Sequence, residues 1–293
     1  MDYFLGIDGG GSKTTALLCD VDGNVTARVK AGSLNYRAVG YETARASLLE
    51  IMAKMKHPVR AAFIGNAALA GAAPPEELHA LCDGIFDIGC VAMDSDLYIA
   101  LEAMRCAGPC AVVIAGTGSM AAGRAGAGRP ILHTGGWGWL LGDEGSGFHI
   151  GWEALRAALR GHEGSGPATA LTRLMCEHYG TARPEELLDI FYDPPKRHNE
   201  IAAFAKCVIQ SDDAIARAIL HRCAGDLAET ARALLRKLPG GARVGLWGGV
   251  FEHSALYQEL FCSMLGTETA LLPVPPVQGA VYAAMKLAGG GQA

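Results

Sequence analysis

The sequence predicts an α/β protein of two related domains, and two observations carry that prediction. The first is a duplicated unit: an apolar strand-like run, a glycine-rich turn, then a second strand-like run. Tyr3 to Ile7 leads into Asp8-Gly9-Gly10-Gly11-Ser12-Lys13-Thr14 and then Thr15 to Cys19. A hundred residues on, Cys110 to Ala115 leads into Gly116-Thr117-Gly118-Ser119 and then Met120 to Gly123. The second is a mixed alternation of short apolar runs with segments of helical spacing, with no fixed short period of the kind that marks a solenoid or propeller. The duplication implies two halves with a cleft between them, each holding part of one phosphorylated ligand.

Glycine suits such turns because backbone N–H groups reach phosphate oxygens only where no Cβ intervenes. The turns match neither common nucleotide motif. A P-loop places Lys directly after its last Gly, whereas Ser12 separates Gly11 from Lys13. The dinucleotide fingerprint, counted from Gly9 and Gly11, requires glycine where Thr14 stands. Both motifs also open a helix, but Thr14 to Cys19 is β-branched and apolar and meets Val21-Asp22-Gly23-Asn24, a hairpin signal.

The elements follow in order. Val25 to Lys30 continues the first hairpin, and Gly32 to Tyr36 is a polar connection. Tyr41 to Met55 carries Ala44, Leu48, Ile51, Met52 and Met55 at helical spacing. Val59 to Ile64 reads as a buried strand, and Pro74-Pro75-Glu76-Glu77 opens a helix with proline and acids in its first turn. A strand over Asp87 to Met93 precedes a helix from Leu97 to Cys106. After the second hairpin the chain turns helical, over 146–160, 167–179, 184–192, 199–210 and 212–237. A strand over Val244 to Trp247 runs into Gly248-Gly249, followed by a helix over 254–265, an edge strand at Leu271-Leu272, a helix over 277–287 and a glycine tail. The expected domains are 1–115, 116–276 with helical insertions, and a segment 277–293 that returns to the first.

Bulk composition excludes several classes. Half of the 293 residues are hydrophobic, so the chain can bury sizeable cores. A formal charge of −5 offers no basic excess for nucleic acid. Met1-Asp2-Tyr3 opens straight into the first strand without a signal peptide, and the least polar stretch, Ala61 to Ala73, is too short to span a bilayer. A cytoplasmic protein, contacting neither nucleic acid nor membrane, is expected, with a homodimer as candidate assembly. Nine cysteines, an odd count, fit reduced thiols. Cys106 and Cys110 are four apart, but no second pair or nearby His completes a metal site.

At these motifs the chain resembles the actin/hexokinase/Hsp70 superfamily, and more narrowly the N-acetylglucosamine kinase branch of the BadF/BadG/BcrA/BcrD ATPase family. The matching blocks are Gly6 to Thr14, Ser33-Leu34-Asn35, the strand end at Asp94, and Ala115 to Ser119. Gly135-Gly136-Trp137-Gly138-Trp139 through Gly142-Asp143-Glu144-Gly145-Ser146-Gly147 follows, then Trp247 to Val250 and Pro276 to Ala280. The resemblance implies two ribonuclease H-like (actin-like ATPase) domains flanking an interdomain cleft where a sugar meets ATP and Mg²⁺. It makes Asp94 the catalytic base, and Asn35, Tyr36, Gly136, Trp137, Gly138 and Asp143 the sugar contacts. Gly10, Gly11, Ser12, Lys13, Thr117, Gly118, Gly248 and Gly249 fall on the nucleotide, and Asp8 on the metal ion.

Phosphoryl transfer to an alcohol needs an aligned nucleophile, neutralised phosphate charge and a proton acceptor. Asp8, at a strand end before the first turn, either holds Mg²⁺ through water or caps the turn. Lys13 is a phosphate partner or a solvated hairpin charge. Asp94 is a base at a strand's C-terminal end or the N-cap of the next helix, a task Asp96 can take instead. Asp143 reads as an acceptor for sugar hydroxyls, Glu144 as structural, and Trp137 as a face for sugar C–H bonds. The favoured acceptor is the C6 hydroxyl of N-acetylglucosamine. N-acetylmuramate, glucosamine, an unmodified hexose, an iron–sulfur reductase-activating ATPase and a sugar-responsive regulator are the alternatives.

Overall fold

The structure, a computed structural model, describes residues 2–11, 13–192 and 198–289. Ser12, one of the expected nucleotide contacts, and the glycine tail beyond Gly289 lie outside the described residues. The chain divides into two compact units. One comprises Met1–Cys110, Gly126–Ile131 and Leu272–Ala293, and the other Ala111–Ala125 and Leu132–Leu271.

The first unit runs β1 (Tyr3–Gly9), β2 (Thr14–Cys19), β3 (Val25–Ala31), α1 (Tyr36–Val39), α2 (Tyr41–Ala53), β4 (Val59–Asn66), α3 (Pro75–Cys82), β5 (Val91–Asp94) and α4 (Asp96–Ala103). The sheet order is β3-β2-β1-β4-β5, with β1 antiparallel to β2 and parallel to β4. The central strand β1 alternates between two cores, as a strand buried on both faces must. Leu5 and Ile7 join Ala44, Leu48 and Ile51 of α2, while Phe4 joins Ile99 of α4 and Val277, Ala280 and Val281 of the C-terminal helix.

Two elements of this unit differ from the sequence expectation. The strand expected from Asp87 begins only at Val91, after a single 3₁₀ turn over Ile88–Cys90. The Asp87 carboxylate accepts the Gly89 N–H at 3.1 Å, and this Asx-type turn wins over extension. The polar connection at Tyr36 contains α1, capped where the Asn35 side-chain oxygen accepts the Ala38 N–H at 3.3 Å.

The second unit repeats the plan. It holds β6 (Cys110–Ala115), β7 (Ser119–Arg124), β8 (Leu132–Gly135), α5 (Gly147–Glu163), α6 (Leu171–Tyr179), α7 (Leu187–Tyr192), α8 (His198–Ile209) and α9 (Ala214–Leu235). Then come β9 (Arg243–Trp247), α10 (Gly249–Glu252), α11 (Ala255–Leu265) and β10 (Thr269–Leu271); α12 (Pro276–Gly289) belongs to the first unit. The order β8-β7-β6-β9-β10 mirrors the first sheet, so each glycine turn closes a central strand onto its neighbour. β8 is a short, mostly exposed edge that the sequence did not signal, and β10 lies at Thr269–Leu271, not Leu271-Leu272, in parallel register with Val244–Leu246. The helices share one core with strands β6, β7 and β9, in which Phe204, Leu220, Leu227, Phe251 and Tyr257 are fully buried. Both units are α/β, of the ribonuclease H-like, actin-like ATPase class.

Candidate functional site

In the first unit the parallel strands β1, β4 and β5 finish side by side. Their register pairs Asp8 with Gly65 and Gly65 with Asp94, so the two aspartates occupy one row on one face, at the carboxyl ends where α/β sheets bind ligands. Burial pushes the Asp8 carboxyl up to about 6; the Asp96 charge adds to the rise, and the Lys13 charge opposes it. The turn beyond Asp8 is closed by the Gly10 N–H, which donates to the Lys13 carbonyl at 3.1 Å. That amide is therefore committed to the hairpin, and space for a ligand opens over Gly11, around whose Cβ direction no atom lies within 4 Å.

The cap at the β5–α4 junction differs from both alternatives that the sequence left open. Ser95 is the N-cap: its Oγ accepts the Tyr98 N–H at 3.3 Å. Asp94 turns its Oδ1 onto Ser95, accepting the N–H at 2.5 Å and the hydroxyl at 3.1 Å. Asp96 is the first helical residue, where the helix N-terminus favours negative charge. Burial raises both carboxyls above the usual range, against lowering hydrogen bonds from Ser95 to Asp94 and from the Leu97 amide to Asp96.

A second strand of contacts ties Asn35 to the first turn. Ser33 Oγ donates to the Gly10 carbonyl at 3.0 Å and accepts the Asn35 N–H at 3.0 Å. Tyr36, expected on the sugar, is packed within the unit. Its ring is 6% exposed and stacks on Tyr41 at 4.6 Å, and its hydroxyl donates to Glu77.

In the second unit, the Gly116–Ser119 turn sits on the start of α5, whose Gly147 and Phe148 amides donate to the Gly116 and Thr117 carbonyls at 2.8 and 3.1 Å. Asp143, at a positive φ of 62° and 8% exposed, accepts the Ser119 N–H at 3.2 Å. Burial raises its carboxyl, partly offset by that bond. A Cβ at Gly118 would stand 2.7 Å from Asp143 Oδ2, so this carboxylate lies against the second glycine turn. Gly248 also meets the turn: at φ 108° it passes so close that a Cβ would lie 2.4 Å from the Ala115 carbonyl and 3.1 Å from the Gly116 nitrogen. Gly249 follows as the first residue of α10. Gly136 and Gly138, with left-handed φ of 74° and 79°, flank Trp137, which is 71% exposed. Trp139 instead packs between Phe148 and His198. It lines an apolar cavity of about 620 Å³ with Trp152, Leu188 and Tyr192, which touches none of the expected site residues.

The structure thus gathers Asp8, Gly10, Gly11, Lys13, Asn35 and Asp94 in the first unit, and Thr117, Gly118, Asp143 and Gly248 in the second. Sequence reasoning missed Asn66, a fully buried amide ending β4, and treated Asp96 only as a cap. A polar residue closing the apolar run from Val59 was the available signal for Asn66. His149 accepts the Gly145 N–H on Nδ1 at 3.0 Å and so braces the Asp143 loop.

Residues 5–286 match the model of the BadF/BadG/BcrA/BcrD ATPase family. The chain belongs to this family. It is 30% identical over 267 residues to the N-acetyl-D-glucosamine kinase of Dictyostelium discoideum, covering 81% of this chain and 80% of that protein. It is likewise 30% identical over 250 residues to an N-acetylmuramic acid/N-acetylglucosamine kinase of Clostridium acetobutylicum, with 81% of each covered. The fold is shared with a ROK family glucokinase from Streptomyces griseus solved in complex with glucose and AMPPNP. That match has TM-score 0.61 at 15% identity, over 99% of this chain and 100% of the other. As a member of an ATPase family, the chain uses ATP, and its duplicated glycine turns are the backbone features suited to triphosphate oxygens.

Proposed function

We propose that this family member is an ATP-dependent amino-sugar kinase that phosphorylates the C6 hydroxyl of N-acetylglucosamine. The observation that carries the reading is the row of half-buried acids beside the first glycine turn, Asp8 and Asp94 in register with Asp96 two residues further on. A proton acceptor and a cation holder are what an alcohol phosphotransferase needs beyond aligned substrates. The kinase names of both curated relatives support it. N-acetylmuramate is the alternative acceptor, because the Clostridium relative is named for both sugars.

The roles divide by residue. Asn35 and the exposed Trp137 bind the sugar, with Gly136 and Gly138 shaping the Trp137 loop. Gly11 and Lys13 with Thr117, Gly118, Gly248 and Gly249 meet the nucleotide, and Asp143 orients the second turn while offering its remaining oxygen to the sugar. For the base, Asp96 takes precedence over Asp94: Asp94 already spends an oxygen on Ser95, whereas Asp96 shares the field of Asp8. Among the described residues no group of three His, Cys, Asp or Glu side chains is set to hold a metal ion. Mg²⁺ nonetheless fits at Asp8, because it keeps its waters, takes one or two carboxylates, and suits a buried acid whose charge a second acid opposes. When bound, it would neutralise phosphate charge. The test is a coupled ADP-release assay against N-acetylglucosamine, N-acetylmuramate, glucosamine and glucose. The proposal expects the highest kcat/KM on N-acetylglucosamine, and ADP release indifferent to every sugar would refute it.

A further inference from the structure

Three segments of the first unit carry its candidate site residues: the end of β1 with the glycine turn, the loop that ends at Asn35, and the end of β5 with Asp94. They are far apart in sequence, yet one residue, through its side chain and its strand backbone, meets all three. Asn66 is fully buried at the end of β4. Its Nδ2 donates to the Leu34 carbonyl at 3.0 Å, one residue before Asn35, and lies 3.7 Å from Met93 Sδ, one residue before Asp94. Its Oδ1 accepts the Ala68 N–H at 2.9 Å, which fixes which end of the amide faces Leu34. Its backbone stands in register with Gly9, and the next amide, Ala67 N–H, donates to the Gly9 carbonyl at 3.0 Å. Ser33 then bonds the same loop to Gly10.

A buried primary amide is costly unless its polar atoms are paired. Here the pairs run to loops, where side-chain polar bonds set backbone position, and not along the strand ladder. Leu34 has no other side-chain donor to its carbonyl among the described bonds, so the Asn66 amide sets where the next residue, Asn35, is presented. From this placement we infer that Asn66 is a positioning residue for the sugar-binding Asn35, acting through the Leu34 carbonyl, with no contact to substrate of its own. The inference rests on the kinase reading and deepens it.

The test compares Asn66→Asp and Asn66→Leu with wild type in KM for sugar, KM for ATP, kcat and melting temperature. Asn66→Asp is isosteric and keeps the Ala68 bond but turns an oxygen onto the Leu34 carbonyl; Asn66→Leu removes both bonds. Glu102→Gln, which breaks the Lys286 ion pair of the same unit at 2.6 Å, serves as a control for general destabilisation. The expected result is a sugar KM raised roughly 10- to 100-fold, the scale of a small misplacement, in both Asn66 variants. The ATP KM should stay within about twofold, and Glu102→Gln should melt earlier without any KM split. Asn66 variants with equal rises in both KM values, or with an unchanged sugar KM beside a lower melting temperature, overturn the inference and leave Asn66 a core amide. Should Asn66→Leu fail to fold, Asn66→Asp alone decides. A wild type that phosphorylates no sugar of the panel refutes the kinase reading and this inference together, whereas an active wild type with unsplit variants refutes this inference alone.

Discussion

Replacing Asp96 and Asp94 separately by asparagine discriminates the base, and the structure sets different magnitudes for the two. Asparagine at 96 keeps one acceptor oxygen for the first-turn amides, and Ser95 still caps α4 through Tyr98, so the fold is retained. What is lost is the proton acceptor, worth about 10²- to 10⁴-fold in rate, or roughly 3–5 kcal/mol of barrier. The same substitution deletes a negative charge beside Asp8. The Asp8 rise from 3.8 to about 6 corresponds to roughly 3 kcal/mol, most of it burial and a lesser part Asp96. Asp96→Asn protein free of substrate is therefore expected to be more stable at pH 7, by less than about 1.5 kcal/mol, while nearly inactive. A stabilised, inactive variant cannot be explained by misfolding. Asparagine at 94 keeps an Oδ1 for the Ser95 N–H and hydroxyl, and its kcat is expected within about tenfold of wild type. The assays are ADP release at saturating substrates and thermal melting at pH 7. An Asp96→Asn enzyme with more than a tenth of wild-type kcat, beside an inactive Asp94→Asn, would refute the assignment and return the base to Asp94.

Three further outcomes follow from the same geometry. Because the Asp8 carboxyl titrates higher folded than unfolded, the folded state binds the extra proton between about pH 4 and 6, so stability falls as pH rises through that window. Asp8→Asn should reduce that fall, to which the raised Asp94, Asp96 and Asp143 carboxyls also contribute, in melts without Mg²⁺ and stabilise the protein at pH 8 by at most about 3 kcal/mol; an unchanged pH slope would count against the burial of Asp8. Gly118→Val places a branched side chain where even a Cβ meets Asp143 Oδ2 at 2.7 Å, so the ATP KM should rise much more than the sugar KM, and equal rises would instead report unfolding by parallel melting. Trp137, at 71% exposure, should report sugar binding as a change in intrinsic fluorescence that disappears in Trp137→Phe and weakens in Asn35→Ala by the roughly 1–3 kcal/mol of an unpaired hydrogen-bonding group; a Trp137→Phe protein that keeps the full change would remove Trp137 from the sugar site.

The sequence showed the fold at the level of strands and turns because each sheet is organised about a strand whose pattern is local. Leu5 and Ile7 on one side and Phe4 on the other need no knowledge of the rest of the chain, and a glycine turn follows directly. What it concealed were places where short polar side chains compete with regular structure. Asp87 bends the start of the expected strand, and Asn35 nucleates a one-turn helix. At the β5–α4 junction, three consecutive residues, Asp94, Ser95 and Asp96, are all good caps, and no propensity ranks one of them decisively above the others. The choice is made by the sheet. The register of β5 with Gly65 fixes Asp94 on the strand, which leaves Ser95 at the cap position and puts Asp96 into the first turn, within the field of Asp8. The packing of Tyr36 was hidden for a related reason: α3 supplies Glu77 for its hydroxyl and α2 supplies Tyr41 for one face, and neither partner is near it in sequence pattern. The glycine turns themselves were thus legible, because close backbone approach dictates residue type. Residues whose role depends on which neighbour satisfies a polar atom, such as Asp96 and Asn66, become legible only once the strands are aligned.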